Sequence, residues 1–352
     1  MKRAVLIRGL LVRWFRREAR DLPWRRTRDP YAIWVSEIML QQTRVDQATP
    51  YYERFIAAFP TVQALASATE DRVLKRWEGL GYYTRARNLH KAAKTIVAAH
   101  RGQFPRTAAE WQRLPGVGRY TANAVASIAF GECVPVVDGN VQRVLARVFD
   151  VAACIDETRT QQRLWALADS LVSPKSPGES NQALMELGAR ICLPRQPHCA
   201  VCPLRNQCDA RGRGVEAQRP VRRAKKRVPH QDMAVAAIRR HGRYLIGKRP
   251  PGGLLGGLWE FPGTRVEADD VHSGSLERVA RDEWGITIRV GPPIATVAHA
   301  YSHFRVTLYV YRCALLSGKP EPGFYTEFKW AFKAHLARYA LPKANHKFLA
   351  SL

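Results

Sequence analysis

Apolar positions keep a helical period from the start of the chain to a cysteine-rich stretch at 192–208, and beyond residue 230 they turn to alternation. Residues 5–19 set Leu6, Leu10, Leu11 and Trp14 on one side of a helix, which Asp21-Leu22-Pro23-Trp24-Arg25 ends. Residues 31–48 repeat the pattern with Ile33, Trp34, Ile38 and Val45, and read as one helix. Two or three helices follow across 60–100, interrupted by the turn Gly79-Leu80-Gly81-Tyr82-Tyr83. Another helix spans 120–130, and Val141, Val144, Leu145 and Val148 mark the next. Residues 141–191 are helical except for a break at 173–178. After 230, short alternating runs predict strands at 233–238, 244–248, 286–290, 294–300 and 304–313, with a turn at Gly242 and one helix at 274–284. The pattern predicts an all-α domain over 1–212, a linker over 213–230 and an α+β domain over 231–352.

Length agrees with two domains, since 352 residues exceed what one core usually serves. A net charge of +26 adds a partner: a surplus of that size suits a polyanion, nucleic acid first, although Arg-rich composition contributes to it. No apolar run is long enough to span a bilayer. The opening MKRAVLIRGLLVRWF lacks a small-residue cleavage site, which argues against a secretory signal. Seven cysteines without such a signal point to a reducing compartment and a metal site. We expect a cytoplasmic monomer, nucleoid-associated in a bacterium, with no membrane partner.

Four stretches carry candidate chemistry. Leu114-Pro115-Gly116-Val117-Gly118 is a tight hairpin ahead of a helix, where uncovered backbone N–H groups and the helix dipole favour an anion such as a DNA phosphate. Asp138 precedes a helical run and suits an N-cap, which also holds a carboxylate rigidly. Glu37 sits among Trp34, Ile38 and Leu40; a carboxyl in such company favours its protonated form, as a general acid requires. Finally, Cys192-x6-Cys199-x2-Cys202-x5-Cys208 packs four thiols into a proline-rich loop without the paired spacing of a zinc ribbon.

LPGVGRYTA followed by VDGNVQRV, SEIMLQQT around Glu37 and the cysteine spacing together resemble the helix–hairpin–helix DNA glycosylases, and among them the adenine DNA glycosylases of the MutY type. The resemblance implies a [4Fe–4S] cluster on Cys192, Cys199, Cys202 and Cys208, with Gly116, Val117 and Gly118 on DNA phosphate. It implies Glu37 as proton donor to adenine, and Asp138 either offsetting the cationic sugar or bonding briefly to it. Tyr120 and Asn140 would orient Asp138 and the sugar. Lyase relatives carry lysine where Tyr120 stands, so a monofunctional enzyme is expected. Arg20, Leu22, Trp24, Arg25, Leu40, Val45 and Gln182 would line the adenine pocket, and Gln42 and Tyr82 would wedge beside the lesion pair. In the C-terminal domain, EFPG at 260–263 resembles the Nudix hydrolases, but Val279 replaces a metal-binding Glu, so the domain is expected to be Nudix-like and not hydrolytic. Its Tyr301-Ser302-His303 turn resembles the loop that meets 8-oxoguanine. The implied substrate is duplex DNA with adenine opposite 8-oxoguanine or guanine. An endonuclease III-like glycosylase/lyase and a non-catalytic iron–sulfur DNA-binding protein remain as alternatives.

Overall fold

The computed structural model describes residues 2–224, 228–267, 271–301 and 304–352. By its internal contacts the chain divides into two compact units, Met1–Ala66 with Lys91–Lys225, and Ser67–His90 with Lys226–Leu352.

The helices run in order α1 (Lys2–Glu18), α2 (Pro30–Leu40), α3 (Val45–Ala58), α4 (Val62–Ser67), α5 (Glu70–Trp77), α6 (Tyr83–His100), α7 (Ala108–Trp111), α8 (Arg119–Ala129), α9 (Gly139–Val148), α10 (Thr158–Leu171) and α11 (Pro177–Arg190), with α12 (Asp209–Gly212) behind the cysteine loop. The first unit packs Leu11, Trp14 and Phe15 of α1 against Val144 and Leu145 of α9, Leu164 of α10, and Leu184 and Leu187 of α11.

The single helix expected over 31–48 is two. Asp29 caps α2 by accepting from the Tyr31 and Ala32 amides, with Pro30 at its first position. Gln42 then takes a left-handed φ of 56°, which a right-handed helix cannot pass through, and α3 starts at Val45. The apolar positions stay in phase across the break, so periodicity alone hides it.

Two contacts fix the geometry between helices. A Cβ on Gly188 of α11 would stand 2.6 Å from the Asn140 Cβ, so the missing side chain is what lets α11 lie close on α9. The buried Asn181 accepts from the Val136 amide and donates to Ser127 Oγ and the Val134 carbonyl, which pins the extended run leading into Asp138.

Residues 213–223, within the expected linker, belong to the first unit. Asp150 takes both Arg213 and Arg219 at 2.7 Å, and the Ile155 amide donates to the Val221 carbonyl at 2.9 Å. Those two arginines therefore serve an internal carboxylate.

The second unit is built on seven strands among the described residues: β1 (His230–Arg240), β2 (Arg243–Lys248), β3 (Trp259–Glu260), β4 (Gly263–Val266), β5 (Ile286–Ala300), β6 (Arg305–Gly318) and β7 (Glu327–Phe332). The sheet runs β3-β2-β1-β6-β5, with β4 on β1 and β7 on β2, and β1 parallel to β6. His241 and Gly242, at φ 47° and 74°, close the two-residue β1–β2 hairpin. The two strands expected at 286–290 and 294–300 are one; Pro292 and Pro293 lack ladder donors, and the register shifts there instead of ending. Apolar clusters cover both faces of the sheet. On one of them α13 (His272–Asp282) lays Leu276 and Ala280, with Val279 packed alongside, so Val279 serves the core.

Candidate active site

Glu37 lies near the end of α2, 5% exposed, and accepts a 2.7 Å hydrogen bond from the Tyr120 hydroxyl. Tyr120 is the second residue of α8, which the hairpin launches: Gly116 turns left-handed at φ 73°, the Val117 amide donates to the Leu114 carbonyl, and Gly118 caps the helix. A Cβ on Gly118 would meet nothing within 4 Å, so the hairpin leaves open space beside its backbone.

Asp138 caps α9. Its Oδ1 accepts from the Val141 amide at 2.7 Å and its Oδ2 from Asn140 Nδ2 at 3.0 Å. Asn140 is held in turn by Arg143, whose guanidinium also donates to the Gly188 and Cys192 carbonyls.

Both carboxylates line one cavity of about 120 Å³ in the first unit. Arg20, Leu22, Trp24 and Arg25 come from the loop after α1, Leu40 and Val45 from the two sides of the α2–α3 break, and Gln182 from α11. The sequence-derived pocket residues thus converge, along with Tyr120 and Asn140. A larger cleft of about 720 Å³ shares Arg20, Trp24, Arg25, Ile128 and Gln182 but contains neither carboxylate, so the smaller cavity is the candidate site.

The cavity drives its carboxylates apart. Burial raises the Glu37 carboxyl to about 7, with the Asp138 charge adding to the rise and the Tyr120 hydrogen bond and Arg25 opposing it. Burial also raises Asp138, against the Val141 and Asn140 donors and the Arg143 charge. Glu186, 1% exposed on the same cavity wall, moves the other way. Burial alone would raise it, yet Arg20 and Arg25 together hold it at about 2. Arg20 grips it with Nε and a terminal nitrogen at 2.8 Å each, and Arg25 adds a contact at 2.9 Å. Glu186 is therefore the anchor of the two arginines and Glu37 the carboxyl able to carry a proton near neutrality.

Sequence reasoning missed Glu186, Met185, Ser36 and Thr43 on this wall, and Asn181 behind it. The one signal available was position: Glu186 falls one helical turn after Gln182 on the same face.

Other expected residues do not line the cavity. Gln42 is the left-handed residue of the α2–α3 break and does not line it. Tyr82 belongs to the second unit, in the Gly79–Tyr83 turn. Tyr301, also in the second unit, stacks on Phe304 at 4.7 Å and meets His299 edge-on, so its ring joins the sheet core. Ser302 and His303 lie outside the described residues.

Cys192, Cys199, Cys202 and Cys208 line a second cavity together, and none is in a disulfide. Arg147, buried beneath them, donates to Cys192 Sγ at 3.3 Å and to the Leu193 carbonyl at 2.6 Å. Burial first, and then neighbouring thiols, raises Cys202 to about 11 and pushes Cys208 up as well; Cys199 is raised by burial, then by the Glu216 charge and Cys192. Four thiols gathered around one cavity, three of them raised, fit a cationic metal group, which would offset the charge of their thiolates. Among the described residues no group of three or more His, Cys, Asp or Glu side chains is placed to hold a single metal ion.

These features define a helix–hairpin–helix base-excision fold: residues 35–170 match the HhH-GPD superfamily of base excision DNA repair proteins, and residues 234–351 match the NUDIX domain. In solved structures the chain is similar to a thermostable thymine-DNA glycosylase, 29% identical with a TM-score of 0.55 over 60% of this chain and 98% of that one. Among curated proteins, the chain is 38% identical to the adenine DNA glycosylase of Homo sapiens over 97% of its own length and 72% of that protein's. It is 32% identical to the adenine DNA glycosylase of Buchnera aphidicola subsp. Acyrthosiphon pisum over 84% of this chain and 83% of the relative. The chain belongs to the adenine DNA glycosylase family.

Proposed function

We propose that this protein removes adenine paired with 8-oxoguanine, or with guanine, from duplex DNA by cleaving the N-glycosidic bond. The observation that carries the reading is the pair of carboxyls in one cavity, Glu37 raised to about 7 under the Tyr120 hydroxyl and Asp138 fixed at a helix N-terminus.

Adenine first leaves the base stack, at a cost of roughly a few kcal/mol. Trp24, Leu22 and Leu40 supply apolar walls for the ring, and the Gln182 amide offers both a donor and an acceptor to its edge. Glu37 gives its proton to adenine N7, which makes the base a better leaving group. The sugar becomes oxocarbenium-like, and Asp138 in its carboxylate form offsets that charge, its two oxygens held by Val141 and Asn140. Water completes the hydrolysis and the strand stays intact. The Tyr120 hydroxyl, expected to orient Asp138, donates to Glu37 instead and would orient that carboxyl; Tyr120 has no amine for a Schiff base, so no lyase step follows. The phosphate backbone is gripped at the open face of Gly116, Val117 and Gly118.

Cys192, Cys199, Cys202 and Cys208 would hold a [4Fe–4S] cluster, which would order the loop that carries Arg195, Arg205 and His198 toward DNA. Purified protein should be yellow-brown and contain close to four irons per chain. Colourless, fully active protein with stoichiometric zinc would overturn this assignment.

Replacing Tyr120 by Lys is expected to introduce strand nicking, read as a borohydride-trapped adduct on substrate DNA. Efficient trapping of the wild type would contradict the role given to Tyr120.

Ser302 and His303 would meet the 8-oxoguanine edge, with Tyr301 as the anchor of their turn, while Tyr82 and Gln42 would wedge beside the pair. Each buried hydrogen bond lost to the lesion is worth about 0.5–1.5 kcal/mol, so the double variant Ser302→Ala/His303→Ala should reduce the preference for 8-oxoguanine over guanine by at most about a hundredfold. The ratio of excision rates on the two duplexes, at one salt concentration, measures it. An unchanged ratio would remove both residues from recognition.

A further inference from the structure

The Gly79–Tyr83 turn is built from left-handed residues, with Gly79 at φ 91°, Gly81 at 78° and Tyr82 at 49°. Its own neighbours brace it. The Gly79 amide donates to the Tyr83 hydroxyl at 3.1 Å, and the Trp77 indole and Arg85 both donate to the Gly81 carbonyl, at 3.1 and 3.2 Å. Arg85 also lies over the rings of Trp77 and Tyr82, at 5.4 Å from each.

Glu78, the residue that enters the turn, takes no part in this bracing. Its carboxylate accepts from the Leu341 amide at 2.7 Å and from His346 Nε2 at 2.8 Å, both at the C-terminal end of the chain. It also accepts from the Lys75 ammonium, which donates in turn to the Tyr339 carbonyl at 3.1 Å. Two further ties flank it. Lys248 pairs with Asp71 at 2.6 Å, and Arg87 donates to the Gly256 carbonyl. Residues 71–87 are thus gripped by three separate stretches of the Nudix-like fold, and the contact density places them in its unit. Burial pushes the Glu78 carboxyl up, but the donors from His346, Lys75 and Leu341 together hold it below its ordinary value, so the acceptor is charged and the bonds are charge-assisted.

We propose that Glu78 is a latch through which the C-terminal fold sets the position of Tyr82, so that this domain acts on adenine excision itself as well as on recognition of the opposite base. The proposal rests on the reading of Tyr82 as the wedge. Glu78 meets only protein groups, which makes it a positioning residue. Its carboxylate joins the turn to the C-terminal segment, whose Leu341, Ala344 and Phe348 pack into the core on the sheet, so losing it frees the turn without removing any group that would touch DNA.

The test is single-turnover excision by full-length variants. Glu78→Ala should slow adenine removal by about tenfold, through three charge-assisted bonds lost at a site that must be held within a fraction of an ångström. His346→Ala, a milder change at a half-exposed side chain, should slow it a few-fold and keeps the test open if Glu78→Ala does not fold. Glu78→Gln retains an oxygen for the Leu341 amide and should recover part of the rate. None of the three should alter the ratio between 8-oxoguanine and guanine duplexes. In a Tyr82→Ala background, Glu78→Ala should cause no further loss; equal losses in both backgrounds would mean that Glu78 serves stability alone and would overturn the proposal. Wild-type rates for both Glu78→Ala and His346→Ala would overturn it as well. If Tyr82→Ala impairs excision and Glu78→Ala does not, the latch fails and the wedge stands; if Tyr82→Ala has no effect, the wedge reading fails and takes the latch with it.

Discussion

Replacing Glu37 by Gln is expected to abolish adenine excision, by about a thousandfold or more, while leaving DNA affinity near that of the wild type. The amide keeps the shape of the carboxyl and still accepts the Tyr120 hydrogen bond, but it has no acidic proton to give, and general acid catalysis typically contributes 10²–10⁴-fold. The pH profile checks the same assignment independently. Glu37 is raised to about 7, so its protonated, donating form dominates below that value and is lost above it. The wild-type single-turnover rate should therefore fall as pH rises through about 7, and the residual rate of Glu37→Gln should show no such limb. Asp138→Asn should lose about 10²–10³-fold through the charge it no longer sets against the sugar. Wild-type-like rates in both variants would assign the two carboxylates to structure.

Glu186→Ala is expected to cost the most in stability. The side chain is 1% exposed and satisfies both Arg20 and Arg25, whose charges it would leave behind in the cavity wall. Breaking a buried pair from one side typically costs about 3–5 kcal/mol, and chemical denaturation should show a lower midpoint with an unchanged slope. Because the Glu186 carboxyl is depressed from 4.5 to about 2, its stabilisation is complete above the ordinary value and is lost as pH falls through 2. Glu186→Gln should lack that acid limb. Stability within about 0.5 kcal/mol of wild type, as for an ordinary surface change, would contradict the anchoring role.

What the sequence made legible follows from what local pattern encodes. The hairpin, Asp138 and Glu37 were visible because each is a short motif whose chemistry depends on its immediate neighbours, and the cavity gathers all of the pocket residues expected from the loop after α1 and from α11. The α2–α3 break escaped because apolar phase continues through a single left-handed residue at Gln42. Glu186 escaped because a helical glutamate looks solvent-exposed until its two arginine partners, more than 160 positions away in the chain, are brought to it. The grouping of 67–90 with the C-terminal fold escaped for the same reason: Glu78 meets Leu341 and His346 through contacts that no periodicity records. In the second unit, alternation located β1, β2, β5 and β6 but not the short β3, β4 and β7, and joined neither 286–290 to 294–300 nor β1 to β6, since pairing is a long-range property.

The central claim is that Glu37 and Asp138 form a monofunctional adenine-excision site, and the most direct measurement is single-turnover processing of a duplex carrying adenine opposite 8-oxoguanine. Free adenine should appear in the reaction, the strand should remain whole until alkali cleaves it at the abasic position, and Glu37→Gln should bind the same duplex without releasing the base. A wild-type protein that binds the duplex and releases no adenine, or that nicks the strand without alkali, would contradict the account.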